Sequence, residues 1–258
     1  MKQLIQKIIY LSLAWAMLAL SFSVGTAMAA GGSAIPLMSA NTDLTDTASL
    51  QRGAQLYTNF CFGCHSMQYQ RYNRVAQDLN IPEDLMVEHL IFDPNAKVGD
   101  LMINAMPENY AKAWFGAAPP DLTLVARVRG ADWLYTYLQS FYADPNRPFG
   151  SNNLLYPNVG MPHVLETLQG ISTPIYEIVI DENGQSKQVI VGLESDGLGE
   201  LNAQEYQQAV RDLVNFLQYS GEPIQVKRQQ IGYWVIAFLV LFLIFAFLLK
   251  KEYWRDVH

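Results

Sequence analysis

Apolar residues gather at the two ends of this chain, and between them they fall into short runs cut by turn residues. At the start, Lys2 and Lys7 precede Ile8–Leu20, which is apolar but for Ser12, and a small-residue stretch ends in Thr26-Ala27-Met28-Ala29-Ala30. A positive start, an apolar centre and an A-x-A pattern at Ala27 and Ala29 are the layout of a secretory signal peptide over residues 1–29. An uncleaved anchor is the alternative, because apolar character runs on towards Val24. At the other end, residues 231–249 are 19 positions without a charge. As a helix they span about 28 Å, close to the ~30 Å hydrocarbon core of a bilayer. Tyr233 and Trp234 stand at one boundary and Tyr253 and Trp254 beyond the other, as interfacial aromatics do. An exported start followed by one stop-transfer helix predicts a domain at 30–230 outside the cytoplasm. Lys250, Lys251 and Arg255 in the 250–258 tail agree with the positive-inside rule.

Within the middle, the pattern predicts a few helices and much loop. Thr47-Ala48-Ser49-Leu50 offers a helix start with Ser49 as its cap, running through Gly53 to the vicinity of Cys61. A glycine in a helix costs about 1 kcal/mol relative to Ala, which a close helix crossing would explain. Asn202-Ala203-Gln204-Glu205 is a capping-box pattern. Behind it Tyr206, Val210, Leu213 and Leu217 share one helical face, and Gly221 and Pro223 mark the stop. Residues 131–142 form a further helix candidate, with Trp133, Leu134, Tyr137, Leu138 and Phe141 at helical spacing and read first as ordinary core. Ile175–Ile180 and Gln188–Val191 flank Asn183-Gly184, a β-hairpin signal. The predicted class is mainly α, with loop-rich insertions, a small β-hairpin and one C-terminal transmembrane helix. Segments such as Pro119-Pro120, Asp144-Pro145-Asn146 and Tyr156-Pro157-Asn158 are a poor way to fill a core. A large apolar cofactor can supply the missing interior.

Charge changes the picture a little. The chain carries −7 overall, and residues 30–230 hold 22 Asp/Glu against 12 Lys/Arg, a balance of −10. Such a surface disfavours nucleic acid and suits a basic protein partner. It serves equally as a solubilising surface.

The chemistry concentrates in Cys61-Phe62-Gly63-Cys64-His65, the C-x-x-C-H attachment signature of a c-type haem. Each thiol can add to one vinyl group, and the adjacent imidazole is then placed to bind iron. Other readings fit less well. A redox dithiol has no use for the histidine, a zinc site lacks a second Cys/His cluster, and a disulfide would close a very tight loop. Cys61 and Cys64 are the only cysteines. For a second iron ligand, Met161 in Asn158-Val159-Gly160-Met161-Pro162 and the neighbouring His163 are the two candidates. His89 lies in a polar helical segment, His258 is on the cytoplasmic side, and Met67 is too near the attachment site. Met86, Met102 and Met106 suit ordinary packing. His/Met ligation leaves no open position and raises the potential, which favours electron transfer over ligand activation. A propionate inside protein needs a cationic or hydrogen-bonding partner, for which Arg127 and Arg129 are candidates.

With these residues in view, the chain resembles the cytochrome c1 family, the haem-bearing subunits of ubiquinol–cytochrome c reductase (cytochrome bc1) complexes, in its bacterial form. The resemblance covers nearly the whole chain. It rests on Arg52-Gly53, on Cys61-Phe62-Gly63-Cys64-His65-Ser66-Met67 leading to Arg71-Tyr72-Asn73-Arg74, on Ala118-Pro119-Pro120-Asp121-Leu122, on Gly160-Met161-Pro162, and on Gly221-Glu222-Pro223 before a single anchor. It implies a class I-like cytochrome c fold and one haem c held by thioethers from Cys61 and Cys64. His65 is then the proximal ligand and Met161 the distal one. It also implies Arg127 towards a propionate, and a Pro119 or Pro120 carbonyl receiving the Nδ1–H of His65. The implied function is relay of electrons from the Rieske iron–sulfur subunit to cytochrome c, beside cytochrome b, at the periplasmic face of a bacterial inner membrane. A free-standing tethered cytochrome serving a terminal oxidase is the alternative. A haem enzyme or gas sensor with an exchangeable sixth ligand is an alternative of another class. The hairpin region, residues 175–199, matches nothing diagnostic in the family.

Overall fold

The computed structural model describes residues 35–180 and 185–255. The leader expected over 1–29, the Asn183-Gly184 turn and His258 lie outside the described residues. In chain order, helix α1 (Thr47–Leu56) runs into one π-helical turn (Tyr57–Cys61), followed by strand β1 (Met67–Arg71) and helices α2 (Tyr72–Asp78) and α3 (Glu83–Leu90). Next come β2 (Leu101–Met102), α4 (Glu108–Phe115), α5 (Val125–Arg129) and α6 (Ala131–Gln139). Then follow β3 (Phe141–Ala143), β4 (Ser151–Asn153), α7 (Glu166–Gln169), β5 (Ser172–Ile180), β6 (Ser186–Ser195), α8 (Ala203–Gly221) and α9 (Gln225–Tyr253). The described strands pair antiparallel as β1–β2, β3–β4 and β5–β6. The mainly α class stands, with two more small ladders than the pattern predicted.

The centre of the fold is the crossing of α1 and α8. A Cβ on Gly53 would strike the Asp212 carbonyl and sit 2.7 Å from the Phe216 Cβ, so only a glycine lets the two backbones meet. The same crossing buries a carboxylate. Asp212 is 2 % exposed, and it accepts from Arg52 Nε at 2.6 Å, Ser49 Oγ at 2.6 Å and Gln208 Nε2 at 2.9 Å. A buried charge is tolerable when paired and hydrogen-bonded in this way. Ser49 is therefore inside the first turn. The cap of α1 is Asp46, whose side chain accepts from the Ser49 N–H at 3.0 Å, a correction to the sequence reading. In α8 the capping box forms as expected. Asn202 Oδ1 accepts from Gln204 N and Glu205 N, and Glu205 Oε2 accepts from Asn202 N at 2.9 Å. Tyr206, Val210, Leu213 and Leu217 are all buried, and the Tyr206 hydroxyl donates to the Leu138 carbonyl at 2.8 Å, tying α8 to α6.

The helix expected over 131–142 stops at Gln139. Asn153 Nδ2 donates to the Tyr137 carbonyl at 2.8 Å, satisfying a carbonyl of the last turn. Phe141–Ala143 then leaves as a strand against Ser151–Asn153. The hairpin of β5 and β6 is longer than its apolar core suggested, and a bulge shifts its register between Ile175 and Tyr176. Helix α9 extends beyond 231–249 at both ends, and none of its residues is buried. Its 29 residues are apolar enough to cross a membrane. At ~1.5 Å per residue they reach about 43 Å, enough for the hydrocarbon and both headgroup layers.

Candidate functional site

The π-helical turn widens the end of α1 just where the C-x-x-C-H motif begins. The backbone then closes on itself: Cys64 N–H and His65 N–H both donate to the Cys61 carbonyl, at 3.1 and 2.8 Å. The fully buried Tyr57 donates its hydroxyl to the His65 carbonyl at 2.7 Å and so fixes the motif's far end. The Pro119-Pro120-Asp121-Leu122 segment lies alongside. Leu122 N donates to Ser66 O at 2.9 Å, and Asp121 Oδ2 accepts from Gln68 N at 2.7 Å. These ties bring the Pro120 carbonyl to 2.7 Å from His65 Nδ1. A carbonyl only accepts, so the proton sits on Nδ1 and the Nε2 lone pair is left for a metal. Burial lowers the imidazole pKa, against smaller opposing contributions from the Pro120 carbonyl and Asp121, and this favours the neutral ligating form. Burial also pushes the Cys61 thiol up to about 12.

All of this faces a cavity of about 370 Å³, within the ~300–1,000 Å³ span of cofactor sites. Cys61, Cys64 and His65 line it from one segment, Pro119 and Pro120 from a second, and Val159, Gly160, Met161 and Pro162 from a third. Helices α5, α6 and α8 contribute Val125, Leu134, Leu138, Leu213 and Leu217. The loop carrying Met161 is held firmly. Arg147 Nη2 donates to the Asn158 and Val159 carbonyls at 2.8 and 3.1 Å, and Asn158 N donates to Asn152 Oδ1 at 2.8 Å. Asn158 takes a positive φ of 63°, which asparagine tolerates. The Tyr137 hydroxyl lies 3.5 Å from the Met161 sulfur and donates to it. His163, the rival ligand, instead stacks on Phe141 at 4.9 Å, and burial lowers its pKa to about 4.

Two thiols, a neutral imidazole, a thioether and an apolar wall are the donor set and surroundings that a haem c requires. The cation that joins them is Arg129. It lines the cavity and lies over the Trp133 ring, 5.0 Å from its centroid, while Trp133 stacks on Tyr137 at 5.0 Å. Arg127 is placed elsewhere. Its Nη1 bonds Glu222 Oε2 at 2.8 Å, and its side chain packs against Gly221. The resemblance implies Arg127 for the propionate, whereas Arg129 is the arginine at the cavity. Trp133 and Tyr137, expected as ordinary core, line the same cavity. The four-residue spacing of Arg129, Trp133 and Tyr137 was the available signal for the stack.

Residues 38–257 match the Cytochrome C1 family. A cytochrome c1 of Allochromatium vinosum is 52 % identical over 233 residues, covering 90 % of this chain and 94 % of the relative. A protein of Nitrosomonas europaea named as an ammonia monooxygenase gamma subunit is 42 % identical, over 88 % of this chain and 91 % of its own. A chain of a hyperthermophilic respiratory Complex III superposes with a TM-score of 0.47 at 13 % identity, over the full length of both chains.

Proposed function

The chain belongs to the cytochrome c1 family, and from that membership we propose how its residues work in the electron-transfer subunit of a cytochrome bc1 complex. The family binds haem c. Cys61 and Cys64 would hold it through two thioethers, and His65 Nε2 and the Met161 sulfur would be the protein's ligands to its iron. The Pro120 carbonyl orients the His65 ring, and Arg129, which lines the cavity, would pair with the propionates. When bound, the haem supplies a one-electron iron couple. With both His65 and Met161 committed to it, the iron would exchange electrons rather than take up a substrate. Arg147 and Asn152 keep Met161 in place and limit the reorganisation that each electron transfer costs.

Electrons arrive from the Rieske iron–sulfur subunit and leave to a cytochrome c, with cytochrome b as the membrane neighbour. Helix α9 anchors the domain, the haem domain faces the periplasm, and the Lys250, Lys251 and Arg255 end faces the cytoplasm. The observation that carries the reading is that Cys61, Cys64, His65 and Met161, about 100 residues apart at their extremes, line one apolar cavity. Affinity purification of the full chain from solubilised membranes tests it. Recovery with a cytochrome b and a Rieske protein is expected; recovery alone would point to the free-standing shuttle.

Two outcomes follow from the surface and the stack. The acidic balance of residues 30–230 steers a basic acceptor, so turnover with a basic cytochrome c falls as salt rises past ~0.1 M, where the Debye length is about 10 Å. A flat response in stopped-flow reduction would remove the steering. Burial raises the Tyr137 pKa, so its hydroxyl stays a donor at working pH. That hydrogen bond draws electron density from the Met161 sulfur and disfavours ferric iron. Tyr137→Phe should therefore lower the midpoint by a few tens of mV in a redox titration.

A further inference from the structure

The soluble domain and the membrane anchor meet at a short joint, Glu222-Pro223-Ile224, between the end of α8 at Gly221 and the start of α9 at Gln225. No residue of α9 is buried, so packing does little to fix the angle at which the anchor leaves the domain. Units joined without a large apolar interface move relative to one another by default. The backbone of the joint adds a few ties. Glu222 N donates to the Gln218 and Tyr219 carbonyls at 3.3 and 3.1 Å, and Gln225 N donates to the Glu222 carbonyl at 3.0 Å. Pro223 has no N–H to contribute.

The Glu222 side chain adds what the backbone lacks. Its Oε1 accepts from Arg228 Nε at 2.5 Å and its Oε2 from Arg228 Nη2 at 3.2 Å, a two-pronged bond to the first turn of α9. The same Oε2 accepts from Arg127 Nη1 on α5 at 2.8 Å. Arg127 reaches it by lying across Gly221, where a Cβ would come within 3.0 Å of the Arg127 Cγ. One carboxylate therefore grips the domain on one side and the anchor on the other. A lone surface ion pair contributes little, but a bidentate guanidinium within a network is the exception. The Glu222 side chain is 19 % exposed, well shielded beside its two partners. Arg228, helped by Arg127, holds its carboxyl below the usual range against the smaller effect of burial, so the charge persists at working pH.

Arg127 stands two residues before Arg129 on α5, and α5 packs on α8. Both helices wall the haem cavity, through Val125 and Arg129 on one and Leu213 and Leu217 on the other. We propose, on the anchored haem-bearing reading above, that Glu222 is a positioning residue for the electron relay: it locks the joint and sets the tilt of the haem cavity over the membrane. A donor held at the same membrane then meets the haem at one distance and one angle.

Electron paramagnetic resonance of the ferric haem tests it, on the full haem-loaded chain reconstituted in stacked, oriented bilayers. The parent signal should change sharply as the film is turned in the field. Glu222→Gln removes the charge and brings an N–H2 towards the guanidiniums. Arg228→Gln removes the fork at a side chain 58 % exposed, outside the haem domain. In both variants the spread of haem tilts should widen by about twofold or more. The haem spectrum, midpoint and thermal melt should stay those of the parent, which separates a loosened joint from a loosened domain. A parent film without angular dependence would overturn the fixed tilt. Angular dependence as sharp in both variants as in the parent would overturn the role of Glu222. Covalent colour persists in each of these outcomes, whereas a wrong haem assignment would show as its loss.

Discussion

Met161→Leu should lower the haem midpoint by on the order of 0.1 V or more, within the ~0.8 V range that axial ligands command. The thioether is a soft donor that favours ferrous iron, and leucine offers no donor atom. Leucine nearly conserves volume, so the cavity wall should survive the change. The loop will not readily deliver a substitute. Arg147 and Asn152 hold its backbone, and His163 is stacked on Phe141. The variant should therefore expose an open coordination position, and carbon monoxide should shift the spectrum of the reduced variant but not of the parent. Spectroelectrochemistry reads the first effect directly. At ~59 mV per tenfold for one electron, a fall of this size moves the equilibrium with a fixed donor by more than tenfold. An unmoved midpoint would transfer the sixth ligand to another atom.

Gly53→Ala should be the most damaging small substitution in the soluble domain. Away from any neighbour, alanine would stabilise a helix by about 1 kcal/mol over glycine. Here the added methyl meets the Asp212 carbonyl and the Phe216 Cβ, both fixed parts of α8. Overpacking of this kind typically costs about 1–3 kcal/mol or more. Parting the helices also loosens Ser49 and Arg52 from a carboxylate that is 2 % exposed. Leaving a buried charge short of partners costs about 3–5 kcal/mol. Against a total stability of about 5–15 kcal/mol, the expected result is little folded protein. Thermal melts of the haem-loaded variant against the parent check it. A midpoint unchanged or raised would show that α1 and α8 do not meet as described.

The haem motif was legible because its chemistry occupies five consecutive residues. The α1–α8 crossing was legible in part: Gly53 signalled a close approach, and the buried face of α8 had helical spacing. Asp212 was not legible. It lies among polar neighbours on the helix, and only the α1 crossing makes it a buried hub for Ser49, Arg52 and Gln208. Asp46 and Ser49 are both good caps, and three residues of sequence cannot say which one precedes the first turn. Arg127 and Arg129 show the same difficulty at the site. They stand two positions apart on one short helix, so they point in different directions. Gly130, with φ of 90°, then turns the chain between α5 and α6. One arginine meets Glu222 and the other meets Trp133 beside the cavity. Spacing draws Phe141 into a helix, whereas β4, whose far end Asn153 lies twelve residues downstream, pairs with it as a strand. Such pairings depend on where β4 returns, which no local pattern states.

Covalent attachment is the most direct test of the whole account. Acid–acetone extraction of the purified full chain should leave the red pigment with the polypeptide. In the Cys61→Ala, Cys64→Ala double variant the pigment should pass wholly into the organic layer. Pigment extracted from the unaltered chain, or retained by the variant lacking both thiols, would contradict the account.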